Sequence, residues 1–115
     1  MAVICCLVKG VGHVIGEKEI CKASNGVGLS YPALAIPMED PRGKKMWSLD
    51  SVIPSFLEKP SEAARTFYVE TSDILFEHPV NEGMTKVYMQ WREGAIKAFS
   101  GLILPGNNGG VVRAK

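Results

Sequence analysis

The chain has 115 residues, enough for one domain with a single core and too few for two. Hydrophobic residues make up 46% and charged residues 22%, ordinary for a soluble globular protein, and no apolar stretch nears the roughly 18 residues needed to cross a bilayer. A net charge of +1 supplies no global field for nucleic acid or an anionic membrane, so a basic site must be local or built by repeating subunits.

Val3-Ile4-Cys5-Cys6-Leu7-Val8 is short, continuously apolar and rich in β-branched residues, which predicts a strand buried on both faces. Gly10-Val11-Gly12 supplies a turn, and a second strand is expected over Val14–Cys21. Gly16 inside it marks a sharp bend or a close backbone approach. Neither face of this strand is apolar throughout, as suits a strand that curls from buried to exposed. After the turn signal Ser24-Asn25-Gly26, a third strand is expected over Val27–Met38, with Pro32 at an edge or a bulge.

Residues 39–46 form a polar turn with a basic cluster, and Met46–Leu49 suggests a brief fourth strand. Ser61–Arg65 is long enough for one helical turn only. Thr66–Glu70 is a clear strand of β-branched and aromatic residues, and Asp73–His78 extends as far as Pro79. The period then changes. Met84, Val87, Tyr88, Trp91, Ala95, Ala98, Phe99 and Leu102 recur at helical spacing, which predicts an amphipathic helix over about 81–100 with Asn81 as its cap. Residues 1–104 are read as one domain, and 105–115 as a flexible tail.

Three cysteines, two of them adjacent, do not make a disulfide framework. Strand alternation sends Cys5 and Cys6 to opposite faces, so they cannot grip one metal, and reduced thiols in a cytoplasmic protein are expected. The N-terminus shows no charged region or cleavage site of a signal peptide. His13 and His78 lie far apart in sequence and have no ligand at metal spacing; both are read as surface residues. Ser30, Ser48 and Ser51 lack the sharp turn that exposes a nucleophile, and Asp50, Glu70, Asp73 and Glu77 show no paired spacing. No enzyme activity and no cofactor are expected. Arg42, Lys44 and Lys45 beside Trp47 could grip phosphate while the indole stacks a base; the plainer reading is a solvated turn next to a core tryptophan. The Tyr88–Trp91–Phe99 stripe is expected to pack on the sheet.

A short buried strand, a glycine turn, a bent strand with an interior glycine and a third strand resemble the first motif of the Sm and Sm-like (LSm) proteins, on Gly12, Val14, Gly16, Ile20 and residues 27–36. Val14-Ile15-Gly16-Glu17 and the proline-bearing Tyr31–Ile36 are most similar to small Sm-like proteins of phage and environmental origin. The resemblance implies a mainly β fold: a small, strongly bent, five-stranded SH3-like or Sm-like barrel, here with a helix after it. It implies a cyclic homo-oligomer of five to seven copies and single-stranded RNA as ligand. Asn25 is the one counterpart of the RNA-binding Asp and Asn of the first motif, and Thr71-Ser72 stands where the Arg-Gly of the second is expected. Phe67, Tyr68 and Val69, free of charge and proline, are the expected strand edge between subunits. A β-rich protein-interaction domain without a nucleic-acid role is the other reading left open.

Overall fold

The computed structural model describes residues 2–19, 25–65 and 67–100. The fold is mainly β, with six strands and two helices in chain order: β1 (Val3–Val8), β2 (Gly12–Glu19), β3 (Gly26–Glu39), β4 (Lys45–Ser51), α1 (Pro60–Arg65), β5 (Phe67–Glu70), β6 (Ile74–Pro79) and α2 (Glu82–Phe99). One turn of 3-10 helix, Thr71–Asp73, joins β5 to β6. The first strand has the bounds its composition predicts. The second begins two residues earlier than expected, and the expected Ile20-Cys21 end lies outside the described residues, as do Leu102 and the expected tail.

Six strands form where five were expected, for a physical reason visible in the register. All pairings are antiparallel, and along the sheet the order is β4-β3-β2-β1-β6. β2 takes one edge of β3, so β4 (against residues 33–39) and β5 (against residues 26–29) both lie on its other edge. They behave as one long strand interrupted by residues 52–66. That insertion contains α1, which the sequence shows as a single turn and the structure extends to Pro60–Arg65. Proline at its first position fits a helix start, where the missing N–H has no partner to lose.

The 3-10 turn links β5 and β6, which pair with β3 and β1 respectively, and so curls the sheet upon itself. Lys9 N–H donates to the Asp73 carbonyl (2.7 Å) and helps hold that turn beside the β1–β2 end. The inner face collects Ile4, Cys6, Val8, Val14, Leu29 and Val69 in one core. The outer face buries Val3, Ile15, Ala33 and Ala35 beneath Tyr88 of α2. Cys6 therefore points inward and Cys5 outward, on the opposite faces that alternation requires.

Pro32 is fully buried in a central strand, a place where proline would remove a ladder hydrogen bond. It is tolerated because the register shifts there: Ile15 faces Ala33 while Glu17 faces Ser30, so Gly16 alone opposes Tyr31 and Pro32. This is a β-bulge, and Tyr31 adopts a positive φ of 50° within it. Gly16 is needed opposite. A Cβ built on it would lie 3.1 Å from Leu29 Cβ and 3.2 Å from the Ser30 carbonyl oxygen.

α2 starts where Asn81 Oδ1 accepts from Met84 N–H at 2.8 Å, as the cap predicts. Its stripe packs as expected: Tyr88 on the outer sheet face, Trp91 and Phe99 toward Tyr31 and α1. The Tyr88 hydroxyl, completely buried, shares its one proton between the Ser30 and Tyr31 carbonyl oxygens, at 2.8 and 2.9 Å. These carbonyls flank the bulge, so one phenol both docks the helix and completes the interrupted ladder. Beside it, Arg92 pairs with Glu17 at 2.9 Å and lies 5.6 Å from the Tyr31 ring centroid, and that ring stacks on Phe99.

Tyr88→Phe is expected to destabilise the fold by about 1–3 kcal/mol, because two buried carbonyls lose the one hydroxyl proton they share; urea unfolding at neutral pH measures it. Burial pushes the Tyr88 hydroxyl up to about 12 from 10.0. The fold therefore favours the neutral phenol. Its stabilising contribution is full below pH 10 and is lost as pH rises toward 12, so unfolding curves across that window should fall more steeply for the native chain than for Tyr88→Phe.

Candidate functional site

The structure puts Asn25 and the basic cluster, the two places the sequence reading names for RNA, at opposite ends of β3. Asn25 immediately precedes β3, and Arg42 and Lys44 follow its far end. A 14-residue strand lies between them, on the order of 40 Å of chain at about 3.3 Å per residue, shortened by the bend. At the far tip Asp40 Oδ1 accepts from the backbone amides of Arg42 and Lys44 at 2.9 and 2.8 Å, and Gly43 takes φ 84°. The turn thus presents its cations outward on a rigid frame. Lys45 opens β4 opposite Glu39.

Trp47 is neither at that tip nor in the core. It sits on the outer face of β4 opposite Pro37, about half exposed, with its ring edge-on to His13 at 5.8 Å between centroids. His13 is the second residue of β2 and half-buried rather than a surface residue, its ring centroid 6.0 Å from that of Phe76. Of the expected subunit edge, Val69 is buried in the inner core and offers no side chain to a partner. Tyr68 between Phe67 and Val69 is 42% exposed, as the alternation of a half-buried strand dictates.

Lys45 and Trp47 share a concavity of about 300 Å³ with Pro37, Met38, Glu39 and Met46. Two further concavities among the described residues bear on the site. The first is a polar cleft of about 420 Å³ where the start of β3 meets the end of β5, lined by Asn25, Glu70, Thr71 and Ser72. The Thr71 amide donates to the Asn25 carbonyl at 2.8 Å and fixes the two loops together. The cleft carries hydroxyls, an amide and a carboxylate but no cation, so it suits the edges of a polar, uncharged group better than a phosphate.

The second is an apolar groove of about 250 Å³ on the outer face, beside the start of α2. Cys5, Ile15 and Ala35 contribute from the sheet, Trp47 and His13 form one wall, and Met84 the other. It escaped sequence reading because five strands and a helix each contribute one or two residues. The only local signal was the alternation that puts Cys5, His13 and Trp47 on one face.

Across the inner face, Lys18 and Glu77 form an ion pair of 2.7 Å between β2 and β6, spanning β1. Below it, burial first and then the Glu77 charge push the Cys6 thiol up to about 11; burial also raises Cys5. Cys5 and Cys6, the cysteines among the described residues, are free thiols. Among the described residues no three His, Cys, Asp or Glu side chains converge on a metal position, and no helix is long and apolar enough to cross a membrane. Comparison with protein-family models, with curated proteins and with solved structures returns no match to this chain.

The raised thiol gives a direct check. A shift of the Cys6 thiol from 9.0 to about 11 lowers its thiolate population near pH 8 about a hundredfold, tenfold for each unit. Iodoacetamide labelling followed by peptide mass mapping should find Cys6 at least that much slower in the folded chain than in urea.

Proposed function

We propose that this chain is a non-catalytic, ring-forming binding module of Sm-like type whose ligand is single-stranded RNA. The observation that carries this reading is the meeting of Asn25 with Thr71 and Ser72 in one polar cleft. Asn25 is the counterpart of the RNA-binding residues in the resemblance and Thr71-Ser72 stands where its unmatched second motif is expected; the two loops lie 46 residues apart in the chain and touch. The strand path supports the same reading: a bent meander, a strand lying along β3, a 3-10 turn, and a last strand returning to β1. β4 and β6 end the sheet and each has one edge unpaired among the described residues, while β5 pairs only with β3. Unpaired edges of opposite hand favour pairing with further copies, and rotation at each contact closes a ring.

In a ring the polar clefts repeat around an axis, and the cationic hairpin tips repeat with them. Bases would meet hydroxyl and amide groups in the clefts. Phosphates would meet Arg42, Lys44 and Lys45 at the tips, so that clefts and tips on different copies, rather than one pocket, would hold the strand.

A second reading, a protein-interaction domain with no nucleic-acid role, rests on the apolar groove and on the aromatic side chains around it.

Two measurements separate them. Solution mass by sedimentation should give a closed multiple of the 12.5 kDa chain. Fluorescence anisotropy with uridine- and adenine-rich oligonucleotides should show binding that weakens as salt rises. Combined Asn25→Ala and Ser72→Ala should weaken it about tenfold, the equivalent of about 1.4 kcal/mol. A strict monomer that binds no oligonucleotide at low salt would sink the first reading.

A further inference from the structure

The segment between β4 and α1 carries Phe56 85% exposed, with Leu57 beside it also exposed. Pro54 and Pro60 bracket the pair. A phenyl ring held almost wholly in water on a short, proline-bracketed loop contributes nothing to its own domain. Its loop is nonetheless anchored: Val52 N–H donates to the Pro32 carbonyl, Ser51 Oγ bonds the Ile53 backbone, and Ile53 is buried with Tyr31 and Ala64. The knob is therefore presented, not loose.

The apolar groove is its counterpart. His13 and His78 line it but no Asp, Glu, Lys or Arg; Trp47 of its lining and Phe76, whose ring lies 6.0 Å from that of His13, remain 49% and 46% exposed. Its volume of about 250 Å³ exceeds the roughly 150 Å³ that accommodates a benzene ring in an apolar cavity. Knob and groove lie at opposite ends of α2. Met84 lines the groove, whereas Ala95 and Phe99 pack with Ile53 beneath the knob. Eleven residues of helix between Met84 and Ala95 place them roughly 16 Å apart, so a chain does not fill its own groove.

We infer that the Phe56–Leu57 knob of one copy seats in the Trp47 groove of the next, a head-to-tail contact whose partner is a second copy of this chain. This deepens the ring-forming reading and rests on it. Two different patches at opposite ends of one outer face give a contact that propagates in one direction, the geometry from which rings are built. At roughly 200 Å² for a fully exposed aromatic side chain, knob and groove mouth together present on the order of 400 Å² of apolar surface. A stable contact removes about 1,600 Å² over the two partners, so knob and groove supply about a quarter of it. The knob thus supplies a specific anchor, and paired strand edges supply the remainder. With a net charge of +1, copies repel one another weakly.

The test uses the full chain with Phe56→Asp to remove the knob, and Trp47→Glu or Phe76→Glu to spoil the groove. Having two groove variants guards against one failing to fold, checked by circular dichroism. Sedimentation should show the native chain associated and each variant at least tenfold weaker. An equimolar mixture of Phe56→Asp with a groove variant retains one intact knob and one intact groove, and should form a dimer and nothing larger. Phe56→Asp assembling like the native chain would overturn the contact while leaving the ring reading standing, as would a mixture that stays monomeric. A native chain that is monomeric at all concentrations overturns both, and leaves the groove to a different protein.

Discussion

The structure turns on one phenol. Tyr88 reaches from α2 through the outer face of the sheet and donates to the carbonyls of Ser30 and Tyr31, at the point where β3 breaks its ladder with β2. A buried carbonyl without a donor is costly, and a bulge in the middle of a sheet creates such carbonyls by design of its geometry. Without a donor from outside the sheet, the bend in β3 would carry that cost unrelieved. With it, the bend is held, and the bend is what lets β4 and β5 share an edge and the sheet curl around its inner core.

Everything that could bind a partner follows from this bend. Because β3 turns at Tyr31, its first part brings Asn25 against Thr71 and Ser72, and its last part carries the hairpin away from the core. The same turn leaves a gap along the β3 edge between β5 and β4. Tyr31, Ile53 and Ala64 fill it, and the Phe56 loop is raised on that plug. α2 covers the outer face only in part, since Tyr88 fixes where the helix crosses it. The uncovered remainder is the apolar groove.

The Asn25 cleft and the Trp47 groove differ in chemistry. The cleft at Asn25 is polar and sits where backbone loops meet, as suits a ligand recognised by hydrogen bonds. The groove at Trp47 is apolar, lined by no Asp, Glu, Lys or Arg and large enough for an aromatic side chain, as suits a protein contact. A ring would use both at once: the groove for assembly, the cleft and the cationic hairpin tips for what the assembly holds.

Local pattern was enough to settle the elements: the unbroken β-branched run of β1, the 3.6-residue period of α2 and its Asn81 cap, and the turn chemistry of Gly10 to Gly12. Each depends on residues within a few positions of one another. Pro32 and Gly16 also announced a bulge or bend, though not that they face each other. What remained hidden needed residues far apart in the chain. That β4 and β5 are one interrupted edge, that Asn25 touches Thr71, that Trp47 leans on His13 instead of standing beside Arg42, and that Phe56 is uncovered by the described residues are all consequences of how β3 bends and where Tyr88 pins the helix. Sequence order records distance along the backbone, and a bulge changes which distant residues meet without leaving a periodic mark of its own.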